Sequence, residues 1–335
     1  MNKIIILLLY VFLKLFAAQR FLSGSSSKNI TLWNNVQRLQ ESKENFDVYS
    51  IDYLNEIFVS ATSDNTVKAW NISSFSVVFQ TPATQSELKY VVILNQSTCL
   101  AGYSKKIYFW SFPNLKEKKP IDLATLNEIQ IFKLLKEENL VLIGSLNGKF
   151  HVFSLLTENV LDSYNQAGYA LDGLNRNVIV SNCKSGICSF YLNSNNQINV
   201  NKTVSYSNEV YVAKLINSSL ALFGVNELKL IIWDLKSSQV NQIDSDNAKI
   251  RSIEILDNDT FLTGMESDKI IVWNLKSITI KHIITTTGII YALKKIDFDW
   301  NFPNGNSVSS NFYISFRSLF NQLISLISSH FCQKR

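Results

Sequence analysis

Aromatic residues that close short apolar runs recur along this chain at an interval of about 40 residues. The seven positions are Trp33, Trp70, Trp110, Phe153, Tyr191, Trp233 and Trp273. A period of about 40 residues fits a unit of four short strands joined by tight turns. One such unit cannot bury its apolar faces alone, so the sequence predicts a ring or stack of similar sheets.

The apolar blocks keep the same order within each unit. A block ending in a small residue stands about twelve residues before the aromatic, as in Phe58-Val59-Ser60-Ala61 and Phe261-Leu262-Thr263-Gly264. An earlier β-rich run carries a lysine before an apolar pair in Phe132–Leu135 and Ala213–Ile216. A fourth run, such as Val77–Phe79, follows the aromatic. Four strands per unit are therefore predicted.

These blocks resemble the repeats of the WD-repeat family. The best matches are Phe58 to Asn71 (FVSATSDNTVKAWN), Phe261 to Asn274 (FLTGMESDKIIVWN) and Leu230 to Leu235 (LIIWDL). The resemblance covers almost the whole chain and implies an all-β, WD-repeat-like β-propeller of seven to eight four-stranded blades, as a single domain over residues 1–335. It also implies that Asp64 and Asp268, in turns between second and third strands, bond backbone amides and orient the following strand.

The chain departs from the family pattern at two points. The Gly-His pair is missing, since the only histidines are His151, His282 and His330. Only Trp233-Asp234 keeps the Trp-Asp dipeptide. We therefore expect that the buried His-Ser-Trp-Asp hydrogen-bond network does not form in the family's way, and that apolar packing between blades supplies most of the stability.

The C-terminal end holds a degenerate eighth unit over residues 289–327. Ala292–Ile296 resembles a lysine-bearing first strand, and Phe312–Ser315 resembles the apolar block. Lys3–Leu8 could supply the missing fourth strand, so that the two ends of the chain pair and hide sheet edges. The role of residues 319–335, as amphipathic helix or degenerate strand, stays open.

The N-terminal segment allows two interpretations. Leu13–Phe16 falls where the first strand of the first blade belongs, which favours a strand. Met1–Ala18 also has the basic start, apolar stretch and Ala17-Ala18 ending of a signal peptide. A membrane anchor is not expected, because Ile4–Phe16 is too short to cross about 30 Å of hydrocarbon and contains Lys14.

Charge argues against a nucleic-acid partner. The chain has 32 basic and 27 acidic side chains, a net charge of +5, spread along its length. Only Lys116, Lys118 and Lys119 cluster, and Glu117 interrupts them. A nucleic-acid binder would concentrate basic residues on one face.

The cysteines and the glycosylation sequons do not show from the sequence alone whether the chain is secreted. Cys183 and Cys188 flank a predicted hairpin turn and could face each other, but we expect two reduced thiols. Six Asn-x-Ser/Thr sequons occur, about the number that chance gives in a chain so rich in these residues. They are at Asn29, Asn71, Asn95, Asn201, Asn217 and Asn258.

The sequence offers no set of residues that would support catalysis. The three histidines form neither a metal pair nor part of a recognisable triad. Acidic pairs such as Asp257 and Asp259 lie in polar stretches that read as solvated loops. We expect no catalytic, cofactor or metal site.

Recognition of other proteins is the predicted function. The family architecture gathers the turns between second and third strands on one face, and loops on a rigid frame usually carry binding. Tyr103, Met265 and Glu266 in these turns are the candidate contacts. We predict a non-catalytic cytoplasmic scaffold that is a subunit of a protein complex. The alternative is a secreted or lumenal propeller, lectin-like or hydrolytic, if Met1–Ala18 is cleaved.

Overall fold

Short antiparallel strands make up almost all the regular structure of this protein. The computed structural model describes residues 19–296, apart from residues 85, 113, 124–127, 147 and 166. Within those residues it contains 28 strands and one 3-10 turn, Lys136–Glu138. The strands form seven four-stranded sheets, so the predicted all-β propeller is confirmed with seven blades.

The strands follow one another in chain order, three in the first blade and four in each blade after it. Blades one to four contain β1 (Arg20–Ser25), β2 (Asn29–Asn34), β3 (Gln37–Lys43); β4 (Val48–Leu54), β5 (Ile57–Thr62), β6 (Val67–Asn71), β7 (Ser76–Gln80); β8 (Leu88–Asn95), β9 (Thr98–Tyr103), β10 (Lys106–Ser111), β11 (Glu117–Asp122); and β12 (Ile129–Leu135), β13 (Leu140–Ser145), β14 (Lys149–Ser154), β15 (Asn159–Asn165). Blades five to seven contain β16 (Ala167–Asn175), β17 (Val178–Cys183), β18 (Gly186–Leu192), β19 (Ile198–Ser205); β20 (Val210–Asn217), β21 (Leu220–Val225), β22 (Lys229–Asp234), β23 (Val240–Asp244); and β24 (Ile250–Asp257), β25 (Thr260–Met265), β26 (Lys269–Asn274), β27 (Thr279–Thr285). The last strand, β28 (Ile290–Ile296), completes blade one.

The ring closes through β28. This strand pairs antiparallel with β1, with Arg20 opposite Ile296 and Gly24 opposite Ala292. It takes the first-strand position predicted for Leu13–Phe16, and it was itself predicted to begin the eighth unit 289–327. Both expectations are corrected, because β28 carries the apolar pattern of a first strand and covers the edge that β1 would otherwise expose.

The remaining end predictions concern residues outside those described. They are the signal peptide Met1–Ala18, the strand Lys3–Leu8, the rest of the eighth unit after Ile296 and the tail 319–335. The single domain over residues 1–335 also stays a prediction. In the described residues no helix is long and apolar enough to cross a membrane.

The apolar core lies between neighbouring blades. Each first strand contacts the first strands of the two adjacent blades, and β28 contacts both β4 and β24, which makes the ring continuous. One buried cluster joins Val59 and Val67 of blade two to Leu88 and Cys99 of blade three. Burial of apolar surface stabilises a folded protein by about 25 cal/mol per Å². Because this surface lies between the blades, each blade is stabilised mainly by its neighbours.

The closing tryptophans lie on third strands, and all but Trp110, which stacks on Tyr108 of its own strand, pack against a second-strand phenylalanine. The ring centroids of Phe58 and Trp70 are 5.5 Å apart, and those of Phe261 and Trp273 are 5.7 Å apart, both nearly parallel. These pairs fix the aromatic in the middle of each sheet, where it is almost fully buried.

Three closing tryptophans donate a hydrogen bond to a hydroxyl on the second strand of their blade. The indole Nε1 of Trp33 donates to Ser23 Oγ (2.8 Å), Trp70 to Ser60 Oγ (3.0 Å) and Trp273 to Thr263 Oγ1 (2.9 Å). These bonds form without the histidine of the WD-repeat pattern, and the expectation that apolar packing between blades supplies most of the stability stays a prediction.

Three of the described blades carry only one half of this pair. The Nε1 of Trp110 has no partner among the described residues, because Ala101 occupies the place of Ser60. In blade six the Nε1 of Trp233 has no partner among the described residues, because Phe223 occupies the place of Ser60. In blade five the Oγ of Ser181 is likewise without a partner there, because the aromatic is a phenylalanine. Trp110 Nε1, Trp233 Nε1 and Ser181 Oγ are therefore buried polar atoms left unsatisfied within the described residues.

The closing aromatic of blade five is Phe190 and not the predicted Tyr191. Ile179 lies opposite Phe190, as Phe58 lies opposite Trp70. Phe190 is fully buried, whereas Tyr191 is 39% exposed. The turn between β17 and β18 has only two residues, Lys184 and Ser185, which shifts the register by one.

The same turn contains a disulfide between Cys183 and Cys188, with Cα atoms 5.9 Å apart. The expectation of two reduced thiols is therefore corrected. Cys183 ends β17 and Cys188 lies on β18, so adjacent antiparallel strands bring the two side chains together.

Candidate functional site

Turns between second and third strands, together with the connections between blades, form one face of the ring, which we call the loop face. In an antiparallel meander these turns all lie at the same end of the strands. The first strands line the central channel, and each one begins at the loop face.

Asp64 organises its turn as predicted. Its Oδ1 accepts hydrogen bonds from the backbone N of Thr66 (3.2 Å) and from the hydroxyls of Thr62 (2.5 Å) and Thr66 (2.8 Å). The carboxylate therefore joins the end of β5 to the start of β6.

Asp268 has a different role from the one predicted. It adopts a left-handed backbone conformation with φ 57°, as Asn65 does with φ 62°. Asn65 and Asp268 each stand five residues before the closing tryptophan of their blade, whereas Asp64 stands six residues before it. Asp268 is therefore the counterpart of Asn65. Its carbonyl oxygen accepts the backbone N–H of Thr286 (2.8 Å), which links this turn to the end of β27.

Tyr103 and Met265 do not form an accessible surface. Each is the last residue of a second strand and is fully buried. Tyr103 packs between blades two and three beside Val67 and Leu88, and Met265 packs between blades six and seven. A partner cannot contact these side chains, because their position in the sheet directs them into the core and not toward the turn.

Glu266 is at the surface and belongs to a larger cluster. Its carboxylate pairs with the guanidinium of Arg251, with Arg251 Nε 2.6 Å from Glu266 Oε1. The guanidinium carbon of Arg251 lies 4.0 Å from the ring centroid of Tyr211. The Tyr211 hydroxyl donates to Glu209 Oε2 (3.0 Å) and Asn226 Oδ1 (2.8 Å).

A second cluster lies at the channel entrance on blades one to three. Tyr49 and Tyr291 meet edge to face with ring centroids 5.4 Å apart, and Lys89 Nζ lies 4.1 Å from the Tyr49 centroid. Lys89 also pairs with Glu87. Tyr49 and Tyr291 come from blades two and one, so this cluster bridges neighbouring blades.

A repeated β-bulge places these residues at the entrance. Tyr49, Lys89, Tyr211, Arg251 and Tyr291 are each the second residue of a first strand. Each is skipped in the ladder with the second strand, where the register shifts. Because a bulge redirects one side chain, five blades present a large aromatic or basic group at one level. We call these five residues the entrance ring.

Deeper in the channel, charges alternate around the axis. Six blades place a charged residue at the same first-strand register, and Val92 takes the position in blade three. In ring order the residues are Lys294, Asp52, Val92, Lys133, Asp172, Lys214 and Glu254. We call the six charged residues the channel charge ring; it contains three cations and three anions.

Each cation pairs with the anion of an adjacent blade. The nitrogen to oxygen distance is 2.6 Å for Lys294 and Asp52, for Lys133 and Asp172, and for Lys214 and Glu254. Each ion pair therefore joins two neighbouring blades.

Each acid also accepts a backbone N–H from the blade that follows it. Asp52 Oδ2 accepts from Ile93 N (2.7 Å), Asp172 Oδ2 from Leu215 N (2.8 Å) and Glu254 Oε1 from Lys295 N (3.1 Å). Such charge-assisted bonds are among the stronger ones in proteins. One carboxylate therefore fastens two neighbouring blades to its own.

The charge ring keeps Asp172 and Glu254 ionised. Burial raises the pKa of Asp172, but Lys133, Lys214 and the Leu215 N–H lower it further, to below the ordinary value of 3.8. Burial likewise raises the pKa of Glu254, and Lys214 and Lys294 outweigh it. The pKa of Lys214 and Lys294 is raised, because their carboxylate neighbours outweigh burial. A general acid at neutral pH would need the opposite shift.

A cleft of about 590 Å³ lies at the seam between blades seven and one. It is lined by hydroxyls and by Trp33, Arg38 and Glu41. Ser27 Oγ and Thr287 Oγ1 lie 2.8 Å apart beside it, so the seam is held partly by hydrogen bonds between hydroxyls. In the part of the chain that the structure describes, no group of three metal-ligating side chains is present.

Comparisons with known proteins agree on the fold alone. No family model matches the chain, and no curated protein matches its sequence. Solved structures do match: the computationally designed Ika8 protein has 17% identity and a TM-score of 0.63, covering 83% of this chain and 88% of its own.

Two further solved structures have a similar fold. U3-55K has 14% identity and a TM-score of 0.62, covering 75% of this chain and 85% of that one. The Cps50 (Swd1) beta-propeller domain of Myceliophteria thermophila has 10% identity and a TM-score of 0.63, covering 80% and 93%. The chain is a seven-bladed β-propeller.

Proposed function

We propose that this propeller is a WD-repeat-type platform without chemistry of its own, which binds partner proteins at the channel entrance on its loop face. The observation that carries the proposal is the entrance ring. It gathers tyrosines and basic side chains on a closed frame, and tyrosine and arginine are the residue types enriched in binding hot spots.

The entrance ring is held in position before a partner arrives. Arg251 is fixed between Glu266 and the Tyr211 ring, and Lys89 between Glu87 and the Tyr49 ring. Side chains that are already ordered lose less conformational entropy on binding. The partly exposed aromatic side chains of Tyr49, Tyr211 and Tyr291 offer an apolar surface with polar hydroxyls at its rim. Such a surface suits a peptide or a loop of another protein.

The WD-repeat assignment is supported by the repeated apolar blocks and by the three buried Ser-Trp or Thr-Trp bonds. The similarity to U3-55K and to the Swd1 propeller domain supports the same architecture. A hydrolase site in the channel is disfavoured, since its acids are each bonded to a lysine and to a backbone N–H.

The compartment stays a prediction. The disulfide between Cys183 and Cys188 favours the lumenal or secreted alternative over the cytoplasm, because disulfides persist mainly in oxidising compartments. The register argument for an internal strand at residues 13–16 no longer applies, since β28 fills that position. Mass mapping of the native N-terminus distinguishes an intact start from a start at Gln19.

Affinity purification from the source cell tests the proposed site. The variant Tyr49→Ala with Tyr211→Ala removes two entrance-ring aromatics, and Leu174→Ala is the control, an exposed residue beside a turn on the opposite face. The entrance variant should lose specific partners at least about tenfold, since hot-spot aromatics cost about 2 kcal/mol or more. Equal recovery of the same partners by both variants, with unchanged melting temperatures, would contradict the proposal.

A further inference from the structure

Three glycosylation sequons occupy the same turn in three blades. Asn95 and Asn217 end the first strands of blades three and six, and Asn258 is the first residue after the first strand of blade seven. These turns are at the strand ends opposite to the loop face. All three asparagines are exposed. The structure thus places three motifs, which the sequence alone could not separate from chance, at the first-to-second-strand connections of three blades, with Asn258 one residue later than the other two.

The local geometry suits modification of the side-chain nitrogen. Asn95 Oδ1 accepts the backbone N–H of Ser97 (2.8 Å), and Asn217 Oδ1 accepts that of Ser219 (2.8 Å). These Asx turns use the amide oxygen. Within the described residues the two amide nitrogens make no hydrogen bond, and that nitrogen is the atom to which an N-linked glycan is attached.

A second observation comes from the loop-face end of blade five. The disulfide between Cys183 and Cys188 forms and persists in oxidising compartments, and the secretory route, where N-glycans are added, is one of these. A chain that began at Gln19 would keep every described strand, because β28 provides the first strand of blade one.

We propose that Asn95, Asn217 and Asn258 carry N-linked glycans, which cover the face of the propeller opposite to the loop face. Bulky, hydrated glycans at three blades would block docking there and leave the loop face free for partners. The proposal does not depend on what the loop face binds.

Asn29 provides an internal control, since Asn29-Ile30-Thr31 is also a sequon. Its Nδ2 donates to Thr287 Oγ1 (3.3 Å), and its Oδ1 is buried. The residue lies in the seam that closes the ring, where blade one meets blade seven. A glycan at this nitrogen would break that contact, so folded protein should be unmodified at Asn29.

The test is site mapping on the full chain, expressed in human cells from its own start codon with a C-terminal tag. Purified protein is treated with peptide N-glycosidase F in H₂¹⁸O, which marks each formerly occupied asparagine as ¹⁸O-aspartate for mass spectrometry. We expect marks at Asn95, Asn217 and Asn258 and none at Asn29.

Two variants make the result independent of peptide coverage. The triple change Asn95→Gln, Asn217→Gln and Asn258→Gln should lower the intact mass by three glycans, whereas Asn29→Gln should leave the glycan mass unchanged. Absence of glycan from the three sites, or occupancy of Asn29 equal to theirs, would overturn the proposal. Site mapping of the unaltered chain decides the question even if the triple variant folds poorly.

Discussion

Lys294, on the last described strand, pairs with Asp52 of the second blade in the channel wall, with Lys294 Nζ 2.6 Å from Asp52 Oδ1. Lys294 lies on β28 of blade one and Asp52 on β4 of blade two. Asp52 in turn accepts the Ile93 N–H of blade three. Ring closure is therefore secured by polar contacts as well as by strand pairing.

Removing the cation of this pair should destabilise the ring. Lys294→Met leaves Asp52 with an uncompensated charge in a largely buried position. Loss of one partner of a fully buried pair costs about 3–5 kcal/mol, and we expect about 2 kcal/mol because Lys294 is one-third exposed. Urea unfolding measures the change. The matched change Lys295→Met leaves the pair intact, and an equal loss there would refute a specific role for Lys294.

Acid should weaken the charge ring. Asp172 and Glu254 have folded-state pKa values below their ordinary values. Their stabilisation is therefore present above the unfolded-state pKa and is lost as the pH falls through the folded-state pKa. We expect the melting temperature to fall below about pH 4, and Asp172→Asn to flatten that acid limb while lowering stability at pH 7. An acid limb of the same slope in both proteins would contradict this account.

The Ser-Trp bonds predict opposite effects of one substitution in two blades. Ser60→Ala removes the acceptor of Trp70 Nε1 and should cost about 1–3 kcal/mol. Ser181→Ala removes a buried hydroxyl that has no partner among the described residues, so it should be neutral or stabilising. Ala101→Ser should gain about 1 kcal/mol by satisfying Trp110 Nε1. Thermal unfolding of the three variants checks the order, and a stabilised Ser60→Ala would contradict it.

The disulfide should stabilise blade five only modestly, because it closes a short loop. The chain-entropy model gives about 2 kcal/mol for a loop of this length. The double change Cys183→Ser with Cys188→Ser should lower the melting temperature and remove its dependence on a reducing agent. If the melting temperatures of the unaltered protein and of the double variant responded equally to the reducing agent, this prediction would be contradicted.

The fold could be predicted because its signal is repeated. Aromatics at one period, all but Tyr191 at the closing position, and a small-residue block before each predicted the strand order. The lysines Lys133, Lys214 and Lys294 of the predicted first strands proved to line the channel. Their acidic partners were missed, since Asp52, Asp172 and Glu254 align only when strand register is known.

The site was harder to predict because burial and bulges are tertiary properties. Tyr103 and Met265 have residue types suited to binding, yet their position at strand ends buries them. Tyr49 and Tyr211 lie inside β-rich runs, and only the bulge that skips them in the ladder brings them to the channel entrance. The sequence signal that was available is the recurrence of an aromatic or basic residue at the second position of the first strands.

Hydrogen exchange of residues 290–296 tests the central claim, a ring of seven blades closed by β28. Amides of Ile290–Ile296 should exchange as slowly as those of Val48–Leu54, and a chain lacking 290–335 should exchange much faster in Arg20–Ser25, because that strand loses its partner. Fast exchange of 290–296 in the full chain, or unchanged protection of Arg20–Ser25 after the deletion, would contradict the closed ring.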